Sequence, residues 1–194
     1  MKKNLMTATL AALALAATFQ TAAKAADPIN PVQGAVCNLY LMDIEDSDKN
    51  PKPFIEMCAS LETSPAAATF VDKASEFVEA KKRDGIKASV GSWTGWLRQE
   101  QAGTYTFLCQ RGFTHSMGGY RYSIWINGQK CIEANYGQSS FNVELDAGFN
   151  SVKVVTESYY YDVQKPLTIT YKKAGSVKDP VSFGPADMWY DDEE

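Results

Sequence analysis

The stretch Tyr120-Arg121-Tyr122-Ser123-Ile124-Trp125-Ile126-Asn127-Gly128-Gln129-Lys130-Cys131 carries the pattern that decides the fold. Tyr122, Ile124 and Ile126 alternate with their neighbours and so share one face of a strand. Asn127-Gly128 is the preferred two-residue type I′ turn. It is expected to pair Ile126 with Gln129, Trp125 with Lys130 and Ile124 with Cys131. Directly opposed residues share a face, which puts Cys131 on the side of Ile124.

The same period of two recurs on either side. Residues 90–97 set Gly91, Trp93, Gly95 and Leu97 on one face, and Tyr105, Phe107 and Cys109 follow suit. Phe141, Val143 and Leu145 alternate up to an Ala147-Gly148 turn, Val152 and Val154 resume, and Leu167, Ile169 and Tyr171 close the series. Upstream, residues 35–44 set Val36, Tyr40 and Met42 against Cys37, Leu39 and Leu41. Short alternating strands between glycine turns predict a mainly β chain, an antiparallel β-sandwich or barrel of jelly-roll type. One departure is expected, an amphipathic helix over about residues 65–83. Ser64 is its N-cap, Pro65 its first residue and Gly85 its stop after Lys81-Lys82-Arg83. Phe70, Ala74, Phe77 and Val78 form its apolar face.

Residues 1–25 read as a secretory signal: Lys2 and Lys3, an Ala/Leu-rich run, then Ala23-Lys24-Ala25 as a cleavage site. Its apolar run is too short and alanine-rich for a membrane span, so no integral membrane protein is expected. Removing it leaves residues 26–194 as one domain and moves the formal charge from −4 to −7. Asp187, Asp191, Asp192, Glu193 and Glu194 form an acidic tail, and the body before it is nearly neutral. Such a surface does not suit nucleic acid, whose phosphates demand a basic face. A soluble exported protein, periplasmic or extracellular, is the expectation.

Four cysteines follow the signal: Cys37, Cys58, Cys109 and Cys131. In an exported chain an even count predicts disulfides, and four allow three pairings. If the faces of Cys109 and Cys131 both look into the core, Cys109–Cys131 is the natural bridge and Cys37–Cys58 takes the remainder. A zinc site is not expected, because there is no C-x-x-C and His115 is the sole histidine. Asp46-Ser47-Asp48-Lys49-Asn50 opens like a calcium loop. Pro51 and Met57 then occupy the places that require glycine and glutamate. No metal and no cofactor are expected.

From Trp93 onward the order of elements resembles the PA-fourteen (PA14) domain family. The elements are Trp93-Thr94-Gly95-Trp96-Leu97, Gly103-Thr104-Tyr105-Thr106-Phe107, Ile124-Trp125-Ile126-Asn127-Gly128, Leu145-Asp146-Ala147-Gly148 and the strand at Leu167 to Tyr171. The resemblance implies a β-sandwich used as a carbohydrate-binding or adhesive module, with Met188 and Trp189 docking on its edge. One branch of the family binds sugar through calcium held by two consecutive aspartates after the G-x-Y-x-F strand. Here the stretch from Leu108 to Tyr120 contains no aspartate, so that site is not carried over.

The ligand-binding candidates lie on two loops, with Phe113, His115, Tyr120 and Arg121 on one and Tyr159, Tyr160 and Tyr161 on the other. Aromatic faces stack on pyranose rings while polar neighbours orient the hydroxyls. The competing reading makes two of the tyrosines packed or edge-strand residues, since tyrosine favours strands. Catalysis is not expected: His115 is the lone imidazole, and Gly137-Gln138-Ser139-Ser140-Phe141 lacks the closing glycine of a nucleophile elbow. The expectation is therefore a non-enzymatic module for a glycan or other envelope ligand. The alternative is an envelope assembly protein that binds a protein partner.

Overall fold

The computed structural model describes residues 26–42, 61, 64–78, 88–112, 120–134, 137–159 and 166–192. Alternating sequence becomes strand throughout: β1 (Pro31–Gln33), β2 (Ala35–Met42), β3 (Ala68–Asp72), β4 (Ala88–Gln99), β5 (Gly103–Arg111), β6 (Tyr120–Ile126), β7 (Gln129–Ala134), β8 (Gly137–Leu145), β9 (Gly148–Tyr159), β10 (Leu167–Lys173), β11 (Val181–Phe183) and β12 (Trp189–Asp191). They form two antiparallel sheets. The larger has eight strands and runs β1-β12-β4-β9-β6-β7, with β2 on β4 and β3 outside β2. The smaller runs β11-β10-β5-β8.

The inward faces are the predicted ones. Cys37, Trp93, Leu97, Tyr122, Ile124, Ile126, Val152 and Val154 from the larger sheet meet Tyr105, Phe107, Cys109, Leu145, Leu167 and Ile169 from the smaller. Register stacks the aromatics: Phe107 sits between Phe141 and Tyr171 on neighbouring strands. Its ring lies 5.1 Å from the first and 5.2 Å from the second, close to parallel in both cases. Such cross-strand pairs add to the area they bury and fix the register.

Residues 65–78 do not form the expected helix. Ala68-Thr69-Phe70-Val71-Asp72 is an edge strand on β2, with Phe70 exposed and Val71 opposite Val36. Phe77 is fully buried, and its backbone exchanges hydrogen bonds with Leu167 of the other sheet. Two phenylalanines at helical spacing thus serve different surfaces. β-branched and aromatic residues favour the pleated edge, and the open ladder of β2 outweighs a local helix pattern. The rest of that predicted helix, and Cys58 of the predicted Cys37–Cys58 bridge, lie outside the described residues.

The Asn127-Gly128 turn forms as predicted, with φ of 50° and 75°. Ile126 pairs with Gln129 and Trp125 with Lys130, but Ile124 pairs with Ile132 instead of Cys131. A bulge at this point makes Cys131 the extra residue. A side-chain network ties this turn to the one between β8 and β9. Asn150, fully buried, accepts from the Asp146 N–H at 3.0 Å and from Asn127 Nδ2 at 2.9 Å, and donates to Asp146 O at 2.9 Å. Asn150→Ala leaves these groups without partners in the interior, which costs about 2 kcal/mol. A drop of that size in the unfolding free energy from a urea titration, with unchanged slope, is the expected result.

The tail is more than a solvated end. Met188 is fully buried, and Trp189 pairs with Trp96 of β4. This agrees with the edge docking that the resemblance implied.

Candidate functional site

The strand ends define one busy end of the sandwich. Met42 pairs with Ala88, Ala88 with Tyr159, and Tyr120 with Ser158, so β2, β4, β6 and β9 all begin or finish there. In the smaller sheet Arg111 closes β5 opposite Gly137 and Leu167, the first residues of β8 and β10. The two loops singled out in the sequence, after Arg111 and after Tyr159, therefore leave the sheets side by side. Phe113, His115, Tyr160 and Tyr161 lie outside the described residues. Tyr120 and Tyr159 are the terminal residues of β6 and β9, at the same end of the larger sheet, where Tyr120 lies opposite Ser158.

Arg121 is engaged by a neighbouring strand. Its guanidinium grips Glu157 of β9 through two contacts, Nε to Oε2 and Nη2 to Oε1, the second at 2.9 Å. The Glu157 side chain has no solvent exposure, and that of Arg121 keeps 17%. Arg111, also buried, crosses between the sheets and donates from Nη1 to Arg121 O at 3.0 Å. These charge-assisted hydrogen bonds tie the ends of β5, β6 and β9 to one another. Sequence reading named Arg121 but missed its two companions. Arg111 continues the inward series Tyr105, Phe107, Cys109, and a charge at an inward position was the signal available.

The outer face of the larger sheet carries a second feature, laid out by register. One row across the strands reads Val36–Thr94–Lys153–Trp125, the next Asn38–Ser92–Val155–Ser123, the third Tyr40–Val90–Glu157–Arg121. Val90 and Val155 are fully buried beneath Leu61, and Tyr40 and Trp125 pack around them. Beside this apolar patch opens a cavity of about 450 Å³, whose lining includes Asn38, Tyr40, Ser92, Thr94 and Lys153. The Lys153 ammonium lies 5.6 Å from the Trp125 ring centre, a cation–π contact. The Asn38 carbonyl accepts from the Thr69 hydroxyl at 2.7 Å, which orients its amide.

Such groups can hydrogen-bond and stack against a ligand. Among the described residues the lining offers hydroxyls, an amide and one ammonium, donors and acceptors that suit a hydroxyl-rich ligand. Among the described residues no cluster of three His, Cys, Asp or Glu is placed to hold a metal ion. Among them, too, no helix is long and apolar enough to cross a membrane.

No protein-family model matches the sequence, and no curated protein matches it either. Solved structures do match. The PA14 sugar-binding domain from an RTX adhesin aligns with a TM-score of 0.60 over 82% of this chain and 99% of its own, at 20% identity. This chain has the PA14 fold. The Epithelial Adhesin 6 A domain from Candida glabrata, in complex with Galβ1-3GlcNAc, gives 0.60 over 85% and 90% at 14% identity. The PA14 domain of the MpAFP antifreeze protein gives 0.55 over 87% and 96% at 13%. At such identities the PA14 likeness establishes the architecture, and the first two of these neighbours are adhesin domains.

Proposed function

We propose that this chain is an exported, non-enzymatic carbohydrate-binding module of adhesin type. We place its ligand on the outer face of the larger sheet, between the Asn38–Lys153 cavity and the strand ends at Tyr120 and Tyr159. The observation that supports it is the shared fold with two adhesin domains, one described as sugar-binding and one solved with a disaccharide. The cavity adds the chemistry such a ligand needs, with hydroxyl and amide partners beside aromatic surface. The secretory signal read in residues 1–25 and the even cysteine count support a place outside the cytoplasm.

A glycan array probed with residues 26–194 tests this reading. Binding to a restricted set of saccharides is expected, reduced at least about tenfold by Asn38→Ala together with Lys153→Ala, a loss of about 1.4 kcal/mol. Loss with Tyr159→Ala alone moves the ligand to the strand ends and leaves the carbohydrate reading standing. A silent array, with an envelope protein retained through purification, overturns it in favour of an assembly role. So does hydrolysis of any glycan that a carboxylate-to-amide change abolishes.

A further inference from the structure

Cys109 and Cys131 carry free thiols in this structure, so the bridge expected from the sequence is not formed in it. Their surroundings differ in a way that the sequence could not reveal. Cys109 sits mid-strand in β5, flanked in register by Ile169 and Ser139, and is fully buried. Cys131 occupies the bulge of β7 on the opposite sheet, is half-buried, and packs against the same core cluster that contains Cys109. The bulge is what allows this. In a regular ladder Cys131 and Ile132 face opposite ways, whereas here both pack against the core. The Cys131 Sγ meanwhile points its weak donor at Gln129 O, 3.5 Å away, near the turn.

We propose that Cys109 and Cys131 form an ordered thiol–disulfide exchange site, with Cys131 as the entry thiol and Cys109 as the buried resolving thiol, which ends as a bridge between the two sheets. The oxidant is a small or protein disulfide of the exchange class. Cys131 loses its proton, and its sulfur attacks one sulfur of that disulfide. The oxidant's S–S bond breaks, half of it leaves as a thiol, and a mixed disulfide remains on Cys131. Cys109 then loses its proton and attacks the Cys131 sulfur, expelling the second half. Two protein thiols have given up two electrons, and the oxidant's disulfide has become two thiols.

The order follows from access and acidity. A thiol must ionise and meet its partner to react. Burial pushes the Cys109 thiol up to about 12, with the neighbouring Cys131 adding to the rise. It is therefore protonated and out of reach of any external disulfide. Burial also raises Cys131, but the backbone at Ile126 offsets part of the effect, and its side chain is partly open to solvent. Once the mixed disulfide forms beside it, Cys109 no longer needs solvent access.

The test uses residues 26–194, purified reduced, mixed with oxidised glutathione, quenched in acid and mapped by peptide mass spectrometry. Wild type is expected to yield a Cys109–Cys131 linked peptide. Cys109→Ser is expected to stop at glutathione on Cys131. Cys131→Ser is expected to acquire glutathione at Cys109 at least about tenfold more slowly. Wild-type linkage of either cysteine to Cys37 or Cys58, or adducts forming equally fast at both sites, overturns the proposal. The wild-type map decides the pairing even where a serine variant fails to fold.

Discussion

Replacing Trp93 by alanine is expected to lower the unfolding free energy by about 4 kcal/mol, within the range for deleting a large buried aromatic. Trp93 has no exposure and meets Phe77 edge-on at 5.5 Å. Its indole N–H donates to Asp72 Oδ2 at 2.8 Å, while the other Asp72 oxygen accepts from the Ala74 N–H at 2.9 Å. The residue thus joins the core to the edge strand. Gly91 makes room for it: a Cβ there would lie 2.3 Å from the Trp93 ring. The cavity left by alanine and the lost partner of Asp72 act together. Trp93→Phe separates them, since it keeps a ring and loses only the N–H, for about 1–2 kcal/mol plus a smaller void. Urea unfolding followed by circular dichroism reads both. An alanine variant within about 1 kcal/mol of wild type would contradict this account of the core.

Glu157→Ala is expected to cost about 3 kcal/mol, at the low end for breaking a buried ion pair, because Arg121 keeps some contact with water. The expense lies in leaving a largely buried guanidinium without its carboxylate rather than in the attraction lost. Replacing both residues with apolar ones of similar size, Arg121→Met with Glu157→Leu, therefore should recover most of the loss. A double-mutant cycle from thermal or urea denaturation measures the difference. Equal destabilisation by the single and double variants would show that the pair matters through other contacts.

The strands were legible because one face of each must be dry. The alternation of Trp93, Phe107, Ile124 and Val154 leaves a mark of period two that no helix produces. Phe70 and Phe77 misled because spacing records position and says nothing about which surface each residue finds. The edge of β2 and the backbone of Leu167 settled that question, and both are remote in sequence. The bulge at Cys131 was similarly hidden, since turn chemistry fixes the first pairs of a hairpin and loses authority two residues further on. Of the candidate site, the sequence named the two loops and Arg121, and the strand register sets the ends of those loops at one end of the sandwich. It missed the rows of Asn38, Ser92 and Lys153, which exist only because β2, β4 and β9 lie side by side. Polar residues on the solvent side of strands carry no signal until the strand order is known.

The pairing of β1 with β12 has a mechanical consequence. Pro31 lies opposite Asp191 and Gln33 opposite Trp189, while the Asp191 carboxylate accepts from the N–H groups of Ile29 and Asn30. The incoming and outgoing strands are thus zipped together before either reaches the core. Tension applied across these two strands falls on their hydrogen bonds one at a time, starting at Pro31 and Asp191. The layers behind Gly34 and Met188 feel the load only after that short zipper has opened.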